Sequence, residues 1–435
     1  MTETERRERV AQWELVYDRL YARQQAVEVF GSMQSIWRSS YTGLPIDREA
    51  MQEWLDAALE RVRGLGSGSL LEIGCGQGLL LLPLLLERKR CVGADPSGEA
   101  LAALQRRLEA LHDHGLDVSG VTLVRSDARA FTAPASGETF DTVICNSVVQ
   151  YFPDGEYLEA AMNNAIRHTG HGGAIFVGDL RDYTLGHAFH ASLQACRSPS
   201  TRGAADLYEA VVNGLQAEEE LLAAPGYWPR FAAGRGRVRC VKLLAKQGPG
   251  LNELTRYRYD VVMHLDELHG PAFSGPRILW GRDASSLQDI SLMLRDKNSD
   301  NLAVVGIPDG RTVEDRCLLR EIAKQYRERP ALTFAALRRE ARAMRKSLSS
   351  PTPEDLGRLA AACGMRAEIH VEPRPAGGFL TAVFFPADAA APCFPLEGPD
   401  LCTFREECTS QQRNPPGNLF AACNHQDVAL RLTNR

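Results

Sequence analysis

The sequence predicts an α/β chain: a mostly parallel sheet wound with helices on both faces, preceded by a helical segment and followed by a second α/β unit. Three observations carry this expectation. Apolar runs of strand length alternate with helical periodicity from Leu70 to Val177. The first run leads into a turn with glycine at every second position, Gly74, Gly76 and Gly78, and the second ends on Asp95. Polar residues then recur at the carboxyl ends of successive strands, the edge at which open α/β sheets bind ligands.

Taken in order, residues 5–30 carry Val10, Trp13, Val16, Tyr17, Leu20, Tyr21 and Val27 at helical spacing, and Gly31 can end that helix. The turn-rich segment WRSSYTGLPID follows, and Asp47 can cap a second helix over Arg48–Val62 with Met51, Trp54, Leu55 and Ala58 on one face. These two helices and the aromatic loop form an expected lid. Leu70–Ile73 is the first strand, and leucines continuing through Leu86 predict a helix that leaves the core at Glu87–Arg90. Strands follow at Cys91–Ala94, Val121–Val124, Asp141–Cys145 and Ala174–Val177, with a helix from Gly98 to Leu111. Residues 183–231 read as helical with a break at Arg197–Gly203. Two strand-like runs then start at Arg237 and Leu254, and an antiparallel pair there would close the sheet. The second unit shows a helix at Leu287–Leu294, a strand at Leu302–Ile307, basic helices over Val313–Lys346, a helix over Pro353–Cys363 and strands at Ala367–Val371 and Phe379–Phe385. The expected divisions are 1–62 (helical lid), 63–265 (ligand-binding core, with 182–236 as a helical insertion), 266–388 (auxiliary α/β domain) and 389–435 (linker and tail).

Composition narrows the function. A length of 435 residues suits two or three units, and a net charge of −5 gives no general attraction to nucleic acid or to a membrane surface. The N-terminus, MTETERRERV, has no apolar h-region, and the leucine run Leu79–Leu86 is broken by Pro83 and falls well short of the roughly 20 residues that span a bilayer. The expected location is the cytoplasm, where the eleven cysteines are free thiols. Cys393, Cys402, Cys408 and Cys423 in the tail lack the C-x-x-C spacing of a zinc site, and His187 and His190 lack a third ligand, so no metal is expected.

The glycine spacing selects the ligand. A dinucleotide fingerprint, G-x-G-x-x-G, would need glycine where Leu79 stands. G-x-G-x-G is instead the arrangement found in class I methyltransferases, whose ligand S-adenosylmethionine carries no phosphate. Beyond this turn, the pieces SSYTGLPI with MQEWLD, LLEIGCGQGLLL, NSVVQYFP, IFVGDLR with HAFHAS, and NELTRYRYDVVMHL resemble the class I S-adenosylmethionine-dependent methyltransferase domains embedded in nonribosomal peptide synthetases. VVGIPDGR, the TPEDL…GM helix and the terminal FAACNHQDVALRLTNR are also similar, and the resemblance covers about residues 12–388. It implies a Rossmann-like fold of strand order 3-2-1-4-5-7-6 with the helical lid and the auxiliary domain added. No adenylation or carrier domain surrounds the match, so the chain looks like a freestanding relative.

The resemblance and the strand-end argument give one set of cofactor residues. Gly74, Gly76 and Gly78 would pack under the methionine part and ribose, Glu72 would orient the cofactor's amino group, and Asp95 would accept the ribose hydroxyls. Asp127 and the backbone of Ala128 would serve the adenine, Asn146 would face the methionine end, and Tyr17 and Tyr41 would reach the cofactor from the lid. For the substrate, Asp179 and Arg181 follow the fifth strand and Gln150 and Tyr151 follow the fourth. An amino acid needs a cation for its carboxylate, for which Arg181, Arg256 and Arg258 are candidates. It needs an acid or base for its nitrogen, for which Asp179 and Glu253 are candidates. Tyr259, alternating with Arg258 on the same expected strand, completes the catalytic candidates with Tyr151.

The leading expectation is methyl transfer to an amino acid or a derivative, free or carrier-tethered, on nitrogen; transfer to the sulfur of a free thioether amino acid such as methionine is the alternative. A non-catalytic cofactor-binding partner of a peptide synthetase is a second class. Nucleic acid is not expected, because the turn after strand four reads Asn146-Ser-Val-Val149, without the prolines that base-methylating enzymes place there. A carrier protein or synthetase is the candidate macromolecular partner, and self-association is left open.

Overall fold

The protein is described by a computed structural model over residues 1–24, 37–295 and 300–394. It divides into two compact units, the first comprising Met1–Leu180, Phe231–Val241 and Asp260–Leu268, the second Arg181–Arg230, Lys242–Tyr259 and the chain from His269 onward.

In the first unit α1 (Glu3–Gln24) and α2 (Arg48–Arg63) precede β1 (Ser69–Ile73), α3 (Leu81–Leu84), β2 (Arg90–Asp95), α4 (Gly98–Asp113), β3 (Val121–Arg125), β4 (Phe140–Asn146), α5 (Gly155–His168) and β5 (Thr169–Arg181). β1 to β5 pair in parallel, and with β6 (Val238–Ala245) and β7 (Arg258–Leu265) the strand order is 3-2-1-4-5-7-6, as the resemblance implies. The central strands are buried on both faces: Leu70, Leu71, Val92, Val143, Ile144, Ile175 and Phe176 are essentially inaccessible. This is why they read as continuous apolar runs rather than as alternation.

Three local expectations are corrected. The helix after the glycine turn is a single α-turn, α3, followed by a 3-10 turn at Leu85–Glu87, so the leucine run describes burial and not helix length. Asp47 occupies the N-cap position of α2 but its side chain makes no capping bond. β5 continues through Asp179 to Arg181, placing both within the strand instead of beyond it. The expected helix end at Gly31 lies outside the described residues.

α1 is held to its unit by charge as well as by packing. Arg6 pairs with Asp154 at 2.7 Å and with Glu156, Arg129 pairs with Glu3 at 2.7 Å, and Arg125 pairs with Glu14 at 2.6 Å. Trp13 and Tyr17, one helical turn apart, pack on Tyr151 in tilted and edge-on geometry at centroid distances of 4.7 and 5.1 Å. The ion pairs are partly exposed, where each is worth at most about 1 kcal/mol, so the ring contacts carry a comparable share of the docking.

The second unit contains α6 (Gly186–Arg197), α7 (Ala204–Gln216), α9 (Glu253–Arg256), β8 (Arg277–Leu279), α10 (Leu287–Arg295), β9 (Leu302–Pro308), α11 (Val313–Glu328), α12 (Phe334–Lys346), α13 (Pro353–Ala362), β10 (Met365–Val371) and β11 (Phe379–Pro386); α8 (Tyr227–Ala233) straddles the division. The run from Leu254 is thus a helical turn, α9, before β7 begins, and Arg256 is not a strand residue. Leu207, Val211, Ile322 and Leu337 join α6, α7, α11 and α12 in one core. Within this unit the strands run in the order β10-β11-β9-β8, with Val304, Ile307, Leu356 and Phe384 in a second core. The basic residues of α11 and α12 lie on amphipathic helices whose apolar faces fill the first of these cores. No described helix is long and apolar enough to cross a membrane. Of the tail cysteines, Cys393 is buried and forms no disulfide among the described residues, and Cys402, Cys408 and Cys423 lie outside the described residues.

Asp154 links α1 to α5, since its Oδ1 also accepts the Tyr157 N–H at 2.9 Å as the α5 N-cap. Asp154→Ala is expected to lower stability by about 1 kcal/mol. Asp154→Asn, which keeps a capping oxygen, should recover most of the loss; denaturant midpoints measure both.

Candidate functional site

A cavity in the first unit opens at the carboxyl ends of β1, β2 and β4 and is walled by α1 and α2. The glycine turn forms its floor. Gly74 N and Cys75 N both donate to Ala94 O, at 2.7 and 3.1 Å, which carries the β1–β2 pairing into the turn. Gly74 has φ of 74°, and a Cβ there would fall 2.3 Å from Val148 Cγ2, so backbone and the loop after β4 approach as only glycine permits. Gly76 donates its N–H to Asp95 Oδ2 at 2.8 Å, and Ser97 N donates to Asp95 Oδ1 at 2.9 Å. Asp95 thereby fixes the turn to the end of β2 while keeping lone pairs for ligand hydroxyls. Burial pushes its carboxyl up to about 6, against the lowering effect of the two backbone bonds.

Glu72 and Asn146 line the cavity and are both buried. Glu72 Oε2 and Asn146 Oδ1 have no hydrogen-bond donor among the described residues. Burial, and then the Asp95 charge, push the Glu72 carboxyl well above the usual carboxylate range. Two orphaned acceptors in one cavity call for a ligand that brings N–H donors and positive charge. Gly178 faces Asn146 across the β4–β5 register, and a Cβ on it would lie 2.0 Å from Asn146 Oδ1, so this acceptor keeps its place only opposite glycine.

At the β3 end, Asp127 Oδ1 accepts from Arg129 N, Ala130 N and Tyr157 OH at 2.8, 2.9 and 3.0 Å, which concentrates the protein's demands on one oxygen and leaves Oδ2 for a ligand donor. The Ala128 carbonyl is taken by Asn164 Nδ2 at 3.1 Å, so the group Ala128 offers a ligand is its N–H. The remaining wall is aromatic: Trp13 and Tyr17 from α1, Trp37, Trp54 from α2, and Tyr151. Faces of this kind suit a sulfonium or an ammonium ion.

The expected cofactor residues are therefore largely brought together: Tyr17, Glu72, Gly74, Gly76, Asp95, Asp127, Ala128 and Asn146 all line the cavity, as does Tyr151. Gly78 and Tyr41 do not. A Cβ at Gly78 would meet Leu104 Cδ1 at 2.6 Å, so that glycine makes room for α4 packing, and Tyr41 sits in the turn closed by the Arg38–Pro45 bridge. Asp179 stands behind the wall, 1% exposed, with Oδ2 accepting from the lining residue Ser147 at 2.8 Å. The other catalytic candidates belong to the second unit and are engaged there. Arg181 is paired with Glu218 at 2.7 Å and Glu220 at 2.6 Å, which removes it as a cation for a substrate carboxylate. Arg256 is paired with Asp315. Tyr259 is fully buried, its hydroxyl accepting from Trp228 Nε1 and donating to Ala223 O, both at 2.9 Å. Glu253 is buried in the first turn of α9. Trp13, Trp54 and Ser147 are the lining residues the sequence reading assigned only to packing or passed over; Trp13 and Tyr17 at i and i+4 were the available signal for the first.

Comparison with known proteins adds the activity class. A family model described as "Methyltransferase domain" matches residues 71–175. These residues are a methyltransferase domain. The chain around it is similar to chondramide synthase cmdD of Chondromyces crocatus, 34% identical over 271 residues that cover 62% of this chain and 7% of that protein. It is similar to the probable non-canonical nonribosomal peptide synthetase CymA of Salinispora arenicola, 34% identical over 303 residues, 69% of this chain and 4% of that protein. It is also similar to the bassianolide nonribosomal cyclodepsipeptide synthetase of Beauveria bassiana, 30% identical over 373 residues, 80% of this chain and 11% of that protein. The chain thus spans about a tenth or less of the length of each of these relatives.

The methyl donor of such a domain is S-adenosylmethionine, and the cavity fits it. The orphaned oxygens of Glu72 and Asn146 match its methionine ammonium, Asp95 its ribose hydroxyls, Asp127 and the Ala128 N–H its adenine, and the aromatic wall its sulfonium. No group of three or more His, Cys, Asp or Glu among the described residues could hold a metal ion.

Asp95 makes binding pH-dependent. Its ionised form accepts ribose hydroxyls, so the dissociation constant of S-adenosylmethionine is expected to rise as pH falls through about 6. Without ligand the sign is opposite. A carboxyl raised from 3.8 stays protonated in the folded state after the unfolded chain has lost its proton, so its contribution to stability falls as pH rises through that window. Asp95→Asn should weaken binding at neutral pH and flatten the step near pH 6; calorimetric titrations between about pH 5 and about pH 7, roughly one unit either side of the transition, measure both.

Proposed function

We propose that this protein transfers the methyl group of S-adenosylmethionine to the amino nitrogen of an amino acid or an aminoacyl derivative, free or tethered to a carrier. The observation that carries the reading is the Ser147–Asp179 pair, with Ser147 directly after β4 and Asp179 within β5. Ser147 lines the cavity and donates its hydroxyl proton to Asp179 Oδ2, while Gln150 Nε2 donates to Ser147 Oγ at 3.1 Å. A carboxylate reached through a hydroxyl is what a nitrogen nucleophile needs and what a thioether has no use for. The likeness to three peptide synthetases supports an amino-acid-type substrate and makes a carrier protein the macromolecular partner to test.

Bound S-adenosylmethionine supplies an electrophilic methyl on a sulfonium sulfur. The chain's own part is to align and deprotonate. The Trp13, Tyr17 and Tyr151 faces exclude water and favour the cationic groups present before transfer. The nitrogen lone pair must be free, so one N–H proton passes to Ser147 Oγ as Ser147 gives its own to Asp179 Oδ2. With Glu72, Asp95, Asp127 and Asn146 holding the methyl donor and the acceptor nitrogen beside Ser147, positioning within contact distance would supply much of the rate.

A pH–rate profile distinguishes nitrogen from sulfur. Transfer to an amine should rise about tenfold per pH unit up to the governing pKa and then level. A flat profile with a thioether amino acid as the preferred substrate would replace this reading by S-methylation. Asp179→Asn, which keeps the shape, should lower kcat by about 100-fold with the cofactor's Kd little changed.

A further inference from the structure

Ser147 and Asp179 share an unusual backbone state. Each is a non-glycine residue in the left-handed region, with φ of 57° and 63°; Ser147 directly follows β4, and Asp179 is the β5 residue after Gly178, the partner of Asn146. Ser147 N donates to Gly178 O at 3.1 Å, so the two bends are also joined through backbone. A conformation of this kind persists only where its surroundings over-determine it. The group that does so is on β7. Asp260 is 1% exposed, and its Oδ1 accepts the Asp179 N–H at 2.7 Å. Its other oxygen, Oδ2, pairs with Arg61, the side chain of a residue on α2 that is itself 9% exposed. α2 also supplies Trp54 to the cavity wall. Nothing in the cofactor contacts requires Asp260 or Arg61, and neither lines the cavity.

We propose that Asp260, clamped by Arg61, is a positioning residue for methyl transfer: it holds the Asp179 backbone in its left-handed state, so that the Asp179 carboxylate fixes the Ser147 hydroxyl at the cavity wall. The inference rests on the amine-methylation reading for what Ser147 contacts, but the clamp itself is independent of the acceptor atom. A buried carboxylate spent on one backbone N–H is a strong constraint because a charged acceptor shortens and orders the bond. The Arg61 pairing holds that carboxylate in place, and it ties the geometry of the acceptor pair to the seating of α2. Displacing Ser147 by even an ångström would leave cofactor binding intact while spoiling proton acceptance.

The test is a double-mutant cycle on the full chain with Asp260→Ala and Ser147→Ala, read by turnover, by calorimetric Kd for S-adenosylmethionine and by hydrogen exchange of the peptide containing the Asp179 amide. Each single variant is expected to lose about 100-fold in kcat, and the double variant no more than the worse single one. Cofactor Kd should stay within about threefold, and Asp260→Ala alone should speed exchange at Asp179. Asp260→Asn, which retains an acceptor for the N–H at nearly the same size, should recover most of the turnover and the protection, and it carries the test if the alanine variant does not fold. Additive losses in the cycle, or unchanged exchange at Asp179 in either Asp260 variant that folds and loses turnover, would overturn the inference. If the wild type methylates a thioether and no amine, the amine reading fails, and the same cycle run on that acceptor, together with the exchange data, still decides whether the clamp exists.

Discussion

The carboxylate of Asp95 takes one backbone N–H from the glycine turn and one from the start of α4, and most of the candidate site depends on this double grip. Both donors are backbone groups that the strand ladder cannot satisfy, so the acid serves a structural need before any ligand arrives. The bond from Gly76 keeps the turn low enough for a ligand to lie over it, and the bond from Ser97 starts α4 in the right direction. Its cost is a carboxyl held in a nearly dry place, which shows in a proton affinity raised to about pH 6. We propose that ligand hydroxyls offset that cost, so that the residue organising the unliganded turn also receives the ribose.

A second theme is unsatisfied polarity placed on purpose at strand ends. Glu72 and Asn146 each hold a buried oxygen without a donor among the described residues, and Asn146 keeps its place only opposite Gly178. In a core such oxygens would each destabilise the protein by about 1–3 kcal/mol. In a cavity walled by indole and phenol rings they describe their ligand: cationic, bearing N–H groups, and otherwise apolar.

Much of this was legible in the sequence, for identifiable reasons. The central strands of the first unit are buried on both faces, so their apolar runs stood out, and the acids and amides that end them marked the ligand edge without any knowledge of packing. Spacing alone separated Gly74-x-Gly76-x-Gly78 from a dinucleotide turn. What failed was pairing. Arg181 reads as a free cation until Glu218 and Glu220 are found beside it, and Tyr259 reads as a catalytic phenol until Trp228 and Ala223 use both of its bonding roles. Neither set of partners is near in sequence. Ser147 was hidden for the opposite reason: its significance lies in a positive φ and in a bond to Asp179, and a serine after a strand announces neither. The leucine run was over-read as a helix because burial and helicity both favour leucine.

The central claim is that the cavity of the first unit delivers a methyl group to an amino nitrogen. Mass spectrometry of products from a panel of free and carrier-bound amino acids, with a methyl-labelled S-adenosylmethionine, tests it most directly. The account predicts a labelled methyl on the α-nitrogen of at least one member of the panel, formed far more slowly when Asp179 is replaced by asparagine and only at higher cofactor concentration when Asp95 is. Label on sulfur, or cofactor binding with no label transferred to any member, would contradict it.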